Sequence, residues 1–276
     1  MATESVPACD KCSISSVSVL IQWTKDKSKA ALKSIFFKTI KITNSKNAIL
    51  MNKELTPYKK AQINSFWKWF KKNENQINDA LAAPNFNLEI IKTFELKIIR
   101  ISKRIGFVLA ANCPSENKKS KITITANGYR KLFYLVNAIV NLAPNTPLFE
   151  IEAFIKPVED LEPFKNGTDE PFTFEDFQIK TSDLFFIPID YNTNRKRIKI
   201  KIFTDKYRFH YDNEALEIAI QIIVQNLIGE INLRKTLAEI QLAQLPDNPQ
   251  NLIPLYELQE YIVFLQKINR RVKIDF

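Results

Sequence analysis

Between Gly106 and Leu242 the hydrophobic pattern passes through one order of elements twice, and this repetition constrains the fold more than any other feature. In the first pass, Gly106–Ala111 and Lys121–Ala126 read as two strands around a polar loop. Asn127-Gly128 then turns into a helix over 130–142, with Leu132, Leu135, Val136, Ile139 and Leu142 on one face. Phe149–Ile155 follows as an alternating strand. In the second pass, Leu184–Ile189 and Arg197–Thr204 read as strands, the latter alternating at Ile198, Ile200 and Ile202. Asp212 opens a helix to Ile228 with Leu216, Ala219, Ile220, Ile223 and Leu227 inward. Gly229 ends that helix, and a strand is expected within Ile231–Leu242. Each unit is β-β-α-β. Hairpins with helices on one side predict an α+β fold, with a mixed or mostly antiparallel sheet and helices packed on it.

A helical pair precedes the first unit. Thr56-Pro57 has the form of a helix start, with a capping hydroxyl and proline at the first helical position. The helix is expected to reach Leu81 on a stripe of Ile63, Phe66, Trp67, Phe70, Ile77 and Leu81. One turn of the stripe is polar: where apolar side chains are due, Asn73 and Glu74 stand. A carboxylate on a core-facing stripe must be solvated, paired or hydrogen-bonded, because an unpaired buried charge is very costly. A second helix is expected over Asn87–Ser102, and a last one, opened by Pro254, over Leu255–Ile268 with Leu255, Leu258, Ile262 and Leu265 inward.

These elements divide the chain into an N-terminal extension, 1–55, and an α+β domain, 56–276. Within the extension, residues 1–13 read as disordered, Ile14–Trp23 as a strand, and Ala31–Thr43 as a short element of open type. The two halves of the domain, 104–156 and 184–242, are joined by an acidic connection that contains Phe172, Phe174 and Phe177. Residues 157–190 carry nine acids against two lysines. That segment suits a docking strand for the basic body of the chain, or a surface offered to a partner.

Composition removes most familiar chemistry. The four glycines are isolated from one another, so neither a phosphate-cradling loop nor a dinucleotide fingerprint can be built. His210 is the single histidine, which excludes a two-histidine zinc helix and leaves one candidate base for a Ser-His-Asp arrangement. Cys9, Cys12 and Cys113 are an odd set, as expected of a reducing compartment. Cys9-Asp-Lys-Cys12 has zinc-knuckle spacing, but a structural site needs four ligands and the others would have to come from afar. No metal and no cofactor is therefore expected. No apolar run approaches the ~18 residues of a membrane span. The residues before Cys9 lack the apolar core of a signal peptide, so the expected location is the cytoplasm.

Charge leaves one class of partner open. Lysine and arginine total 40 against 30 acids, a net charge of +10, which would attract nucleic acid or anionic surfaces. However, lysines number 31 and arginines only 9, and arginine is the side chain favoured for bidentate base and phosphate contacts. Nucleic acid is thus a secondary partner class, bound with low specificity through the basic surface.

Phe66-Trp67-Lys68-Trp69-Phe70 is followed by Asn73-Glu74, and Ile124-Thr125-Ala126-Asn127-Gly128 comes later as a turn. These ordered landmarks resemble the FWxWF…NE helix and the ITADG turn of an uncharacterised bacterial family of hypothetical proteins. Leu142-Ala143-Pro144, Phe154-Ile155-Lys156-Pro157, Ile228-Gly229-Glu230 (the family's LGE) and Leu245-Pro246 follow in the family's order. The likeness spans 60–265, with Asn127 in place of the family's Asp. It implies a bacterial, cytosolic α+β domain and supplies no mechanism.

Three functional expectations follow. The first is a non-catalytic protein-interaction module, an immunity or accessory factor, whose partner is another protein. Its candidate surface is Trp69, out of phase with the helix stripe, together with the basic turn Arg195-Lys196-Arg197. Such charges also protect edge strands from pairing, so that turn has an architectural explanation too. The second is a carboxylate enzyme or divalent-metal binder in which Glu74, beside Asn73, works with Glu230, just past a helix end. The third is the nucleic-acid binder. The balance leans away from catalysis, and the oligomeric state is left open.

Overall fold

In the computed structural model, which describes residues 55–82, 88–111, 119–174, 177–192, 196–207 and 213–271, the first element is helix α1, Pro57–Ala82. Thr56 caps it: its hydroxyl oxygen accepts the Lys59 N–H at 3.3 Å, and Pro57 begins the helix where an N–H would go unused. Ile63, Phe66, Trp67, Phe70, Ile77 and Leu81 are all buried, and Glu74 is buried with them. Helix α2, Leu88–Ile101, runs back along α1. The Lys59 ammonium donates to the Ile101 carbonyl, and Gln62 Nε2 donates to the Arg100 carbonyl at 3.0 Å, so α2 ends against the start of α1. Between them Phe66, Phe70 and Phe94 meet edge to face, at 5.2 Å and 6.3 Å from the Phe94 ring.

The first β-β-α-β unit follows. Strands β1 (Gly106–Ala110) and β2 (Ser120–Thr125) pair antiparallel; helix α3 (Phe133–Asn141) then crosses over, and β3 (Phe149–Ala153) pairs parallel to β2. The order β1-β2-β3 puts β2 in the middle. Its Ile122 and Ile124 are fully buried on the face shared with Phe107 and Leu109. The Trp67 indole N–H donates to the Ile139 carbonyl at 2.8 Å, tying α1 to α3.

The acidic stretch between the units is itself folded. It forms one helical turn, α4 (Glu162–Lys165), and a short hairpin, β4 (Phe172–Phe174) with β5 (Phe177–Ile179). Phe172, Phe174 and Ile179 are buried in the core of the second unit. Their alternate spacing is that of strands with one face buried.

The second unit repeats the first in topology. Strands β6 (Phe185–Asn192) and β7 (Arg197–Thr204) form an antiparallel hairpin, with a bulge between Pro188 and Asp190. Helix α5 (Glu214–Ile228) crosses over, and β8 (Leu237–Gln244) pairs parallel to β7. A two-residue strand, β9 (Ile253–Pro254), joins the far side of β6, giving the order β8-β7-β6-β9. Helix α7 (Leu258–Arg271) closes the unit. Between α5 and β8 lies one more helix, α6 (Glu230–Thr236), so the strand expected somewhere within Ile231–Leu242 occupies only the second half of that window. Its first residues are helical because Gly229 ends α5 with φ 77° and ψ 153°, a conformation open essentially to glycine, and the chain starts a new helix at once. The strand proper begins at Leu237.

The buried apolar side chains fall into two clusters. One is built from α1, α2, β1–β3 and α3, and the other from β4–β8, α5 and α7. They define two lobes, each with one unit. All of the extension 1–55 except Leu55, with its expected strand Ile14–Trp23 and element Ala31–Thr43, lies outside the described residues, as do Cys9, Cys12, Cys113, Arg195 and His210.

Candidate functional site

Glu74 meets the requirement its place on the stripe imposes. The residue is 6% exposed, with one oxygen accepting the Leu148 N–H at 3.2 Å and the other the Lys71 ammonium at 2.9 Å. Burial alone would push its pKa up, but hydrogen bonds from Thr146, Lys71 and Leu148 outweigh it and hold the carboxyl below its ordinary value. Lys71 also donates to the Asn145 carbonyl at 3.2 Å, and the Phe149 N–H donates to the Thr146 hydroxyl oxygen at 2.9 Å. The carboxylate therefore gathers the turn that leads into β3. Asn73 beside it donates to the Trp69 carbonyl of its own helix at 2.7 Å.

Glu230 is the more enclosed of the two acids, with 0% exposure. It opens α6 in the second lobe, and its own N–H donates to the Ile155 carbonyl at 2.8 Å. Its carboxylate reaches into the first lobe. One oxygen accepts the Gly128 N–H at 2.8 Å, and the other accepts the Thr125 hydroxyl at 2.7 Å. Burial raises its pKa above the ordinary carboxyl value, and the bonds from Gly128 and Thr125 offset only part of that.

The turn it grips is made by Asn127-Gly128. Both residues have positive φ, 48° and 74°, and the Tyr129 N–H closes the turn on the Ala126 carbonyl at 3.0 Å. This is the mirror-image turn that Asn-Gly favours, because both central residues must be left-handed. Thr125 serves the turn twice: its hydroxyl oxygen also accepts the Asn127 N–H at 2.9 Å. Asn127 donates from its amide to the Arg104 carbonyl at 3.1 Å, and the Arg104 guanidinium lies 5.0 Å from the centre of the Tyr129 ring.

One turn after Glu230, Arg234 packs flat on Gly128. A Cβ at that glycine would lie 2.4 Å from the Arg234 Nε, so no side chain fits there unless the guanidinium moves. Burial lowers the Arg234 pKa to about 10, with the neighbouring Arg197 guanidinium acting in the same direction and Glu230 against it. Arg197 donates from Nη2 to the carbonyls of Leu237, at 2.5 Å, and Arg234, at 3.5 Å. It fastens the start of β7 to the start of β8.

The structure places Glu74 and Glu230 at opposite ends of the β2–β3 pair. Glu74 binds next to the Ser120–Phe149 register pair, and Glu230 binds at Thr125 and just beyond. Five residues of strand at ~3.3 Å each separate those ends by about 17 Å. Paired-acid glycosidases work at separations below ~10 Å. Among the described residues no group of three His, Cys, Asp or Glu side chains is placed to hold a metal ion.

Trp69 is half-buried in the aromatic cluster, 6.3 Å from Phe94 and 6.5 Å from Phe66, with the Lys97 ammonium 5.2 Å from its ring centre. Lys196 is exposed at the β6–β7 turn with φ 51°, and Arg195 lies outside the described residues. Sequence reasoning assigns no role to Thr125, Gly128, Arg234, Thr146 or Leu148, although Thr125 and Gly128 stand in the landmark turn. Most are backbone donors or common hydroxyls, and Thr125 and Gly128 lie more than a hundred positions from Glu230. The Glu230…Arg234 spacing was the one readable signal.

No protein-family model matches the chain, and no significant match is found among curated proteins or solved structures. No single helix among the described residues is long and apolar enough to cross a membrane.

Proposed function

We propose that this is a binding module, a bacterial cytoplasmic protein whose partner is another protein, in the manner of an immunity or accessory factor. One observation carries the reading. The two acids that the sequence marks out for chemistry are enclosed, and every oxygen of both accepts a hydrogen bond from the fold itself. A general acid or base needs an oxygen within hydrogen-bond reach of a substrate proton. Outward surfaces are what remain for function, and they include Tyr58 at 71% and Leu96 at 60% exposure on the first lobe's helices.

The test is affinity capture from native lysate with the full chain, followed by calorimetry on the purified pair. The reading expects one protein at stoichiometric level, retained after nuclease treatment and lost with a Tyr58→Lys/Leu96→Glu variant. Capture that nuclease abolishes and salt weakens steeply would assign the basic surface to nucleic acid instead. Turnover of a metabolite, lost on Glu74→Gln in a protein that still melts cooperatively, would overturn the binding-module reading.

A further inference from the structure

Helix α7 has two apolar sides. Leu258 and Ile262 are buried in the second core, and Tyr261 meets Phe186 edge to face at 5.6 Å. The solvent side carries Val263 at 42% and Phe264 at 56% exposure, Phe264 6.4 Å from the Tyr261 ring, and at its flank, seven positions after Tyr261, Ile268 at 42%; these are three of the six large hydrophobic side chains that the described residues leave exposed. Isolated exposed hydrophobics are ordinary, whereas three on the solvent side of one helix form a contact surface that none of the described residues covers.

The charges on that side say what fits it. Glu257 and Glu260 are exposed at its start, and Lys267 is exposed toward its end, where the helix continues through Asn269-Arg270-Arg271. Positions 260, 263, 264, 267 and 268 are spaced by three and four, so they share one face. Reversing the helix about the point midway between Val263 and Phe264 exchanges position 260 with 267 and 263 with 264. The stripe is therefore complementary to itself when antiparallel, acid against base at both ends and apolar against apolar at the centre. A parallel copy would set acid against acid. A lipid surface is disfavoured by the two glutamates that flank the apolar patch. Acids first and bases last also suit the helix dipole, but that accounts for no exposed Val263, Phe264 or Ile268. Within the same copy, Lys165 is ion-paired with Glu162 at 3.0 Å, and the Glu260 carboxylate adds a weaker attraction to it.

We propose that α7 is a self-association surface, on which a second copy of this chain packs antiparallel, with Val263 and Phe264 at the dyad and Glu260 opposite Lys267 of the other copy. A 14-residue helix is ~21 Å long. The contact falls below the ~1,200 Å² of a standard interface, so the dimer is weak and concentration-dependent. This inference stands apart from the binding-module reading and survives its failure.

Sedimentation equilibrium on the full chain tests it, with concentration stepped to about 1 mM to reach an interface of that size. The expected result is a monomer–dimer equilibrium. Glu260→Lys and Lys267→Glu, each creating two like-charge contacts, should each weaken it about tenfold. An equimolar mixture of the two variants should recover wild-type association, because each then supplies the charge the other lacks. Phe264→Asp, at an exposed position that spares the fold, should leave only monomer. A wild-type chain that stays monomeric over the whole range overturns the proposal. So does a dimer indifferent to both single charge changes, or a mixture that shows no recovery.

Discussion

Replacing Glu230 with alanine should uncouple the two lobes. The carboxylate spans them: it belongs to α6 of the second lobe, while both of its acceptor bonds come from the first. Removal leaves the Gly128 N–H as a buried, fixed donor with no acceptor, and it frees a Thr125 hydroxyl that can turn elsewhere. Hydrogen bonds to a charged group contribute about 1.5–3 kcal/mol each. The raised pKa shows that burying the charge itself opposes folding and offsets part of that gain. The net loss is therefore placed at about 3 kcal/mol, in the range that marks a specific mechanism rather than ordinary surface variation. The loss should appear as broken cooperativity as well. Trp67 and Trp69 both belong to the first lobe, so in a Trp23→Phe background tryptophan fluorescence in urea follows that lobe, while circular dichroism follows both. Wild-type transitions by the two probes should coincide, and those of Glu230→Ala should separate. Glu230→Gln keeps an acceptor for Gly128 and should cost less than half as much. A double-mutant cycle with Thr125→Val should show coupling, since the two side chains are directly bonded. A loss under about 1 kcal/mol with coincident transitions would refute the idea that this acid joins the lobes.

The remaining predictions are these. Glu74 has a lowered folded pKa, so its contribution is complete above the ordinary value of 4.5 and disappears as pH falls through the folded pKa; Glu74→Gln should flatten the acid limb of a melting-temperature profile. Glu230 has the opposite sign: the folded chain holds that proton more tightly, so stability falls as pH rises from 4.5 through its folded pKa, and Glu230→Gln should remove that slope. Gly128→Ala combines a left-handed φ of 74° with a Cβ set against Arg234, and should cost about 2 kcal/mol in urea denaturation. The loss should shrink when Arg234→Ala is added. Trp67→Phe deletes the bond to Ile139 and should cost about 1 kcal/mol by the same measurement.

Much of the architecture could be read in advance, because it depends on local periodicity. The stripe Ile63, Phe66, Trp67, Phe70 fixes a helix face whatever it packs on. The same stripe exposes Glu74 as an anomaly, since only a phase relation is needed to see that a carboxylate points inward. The alternation of Ile198, Ile200 and Ile202 likewise defines a strand with one buried face. Local pattern failed where two periods agree with the same residues: Ile231 and Leu233 are compatible with a strand or a short helix, and the Gly229 backbone decides in favour of the helix. It failed completely for partners, because a hydrogen bond between positions 128 and 230 leaves no trace in the neighbourhood of either. The charge of the basic turn suits an edge strand, but β6 and β7 both lie inside the sheet order β8-β7-β6-β9, and Arg197 holds the Leu237 carbonyl of the neighbouring strand.

The buried acids have one habit in common. Glu74 accepts the Leu148 N–H ahead of β3, Glu230 accepts the Gly128 N–H after β2, and buried Asp169 accepts the Thr181 and Ser182 N–H groups at 2.7 and 3.3 Å. In each case a carboxylate satisfies backbone donors where a strand or turn begins or ends and no ladder partner is available. Buried N–H groups must find an acceptor, and a chain with four glycines has few tight turns that satisfy such groups by curling on themselves. Acidic side chains supply the acceptors instead. An inward-facing acid in this chain is thus a mark of a difficult connection in the backbone. The same reasoning directs any search for function toward the exposed faces of α1, α2 and α7, where no such structural demand accounts for the side chains present.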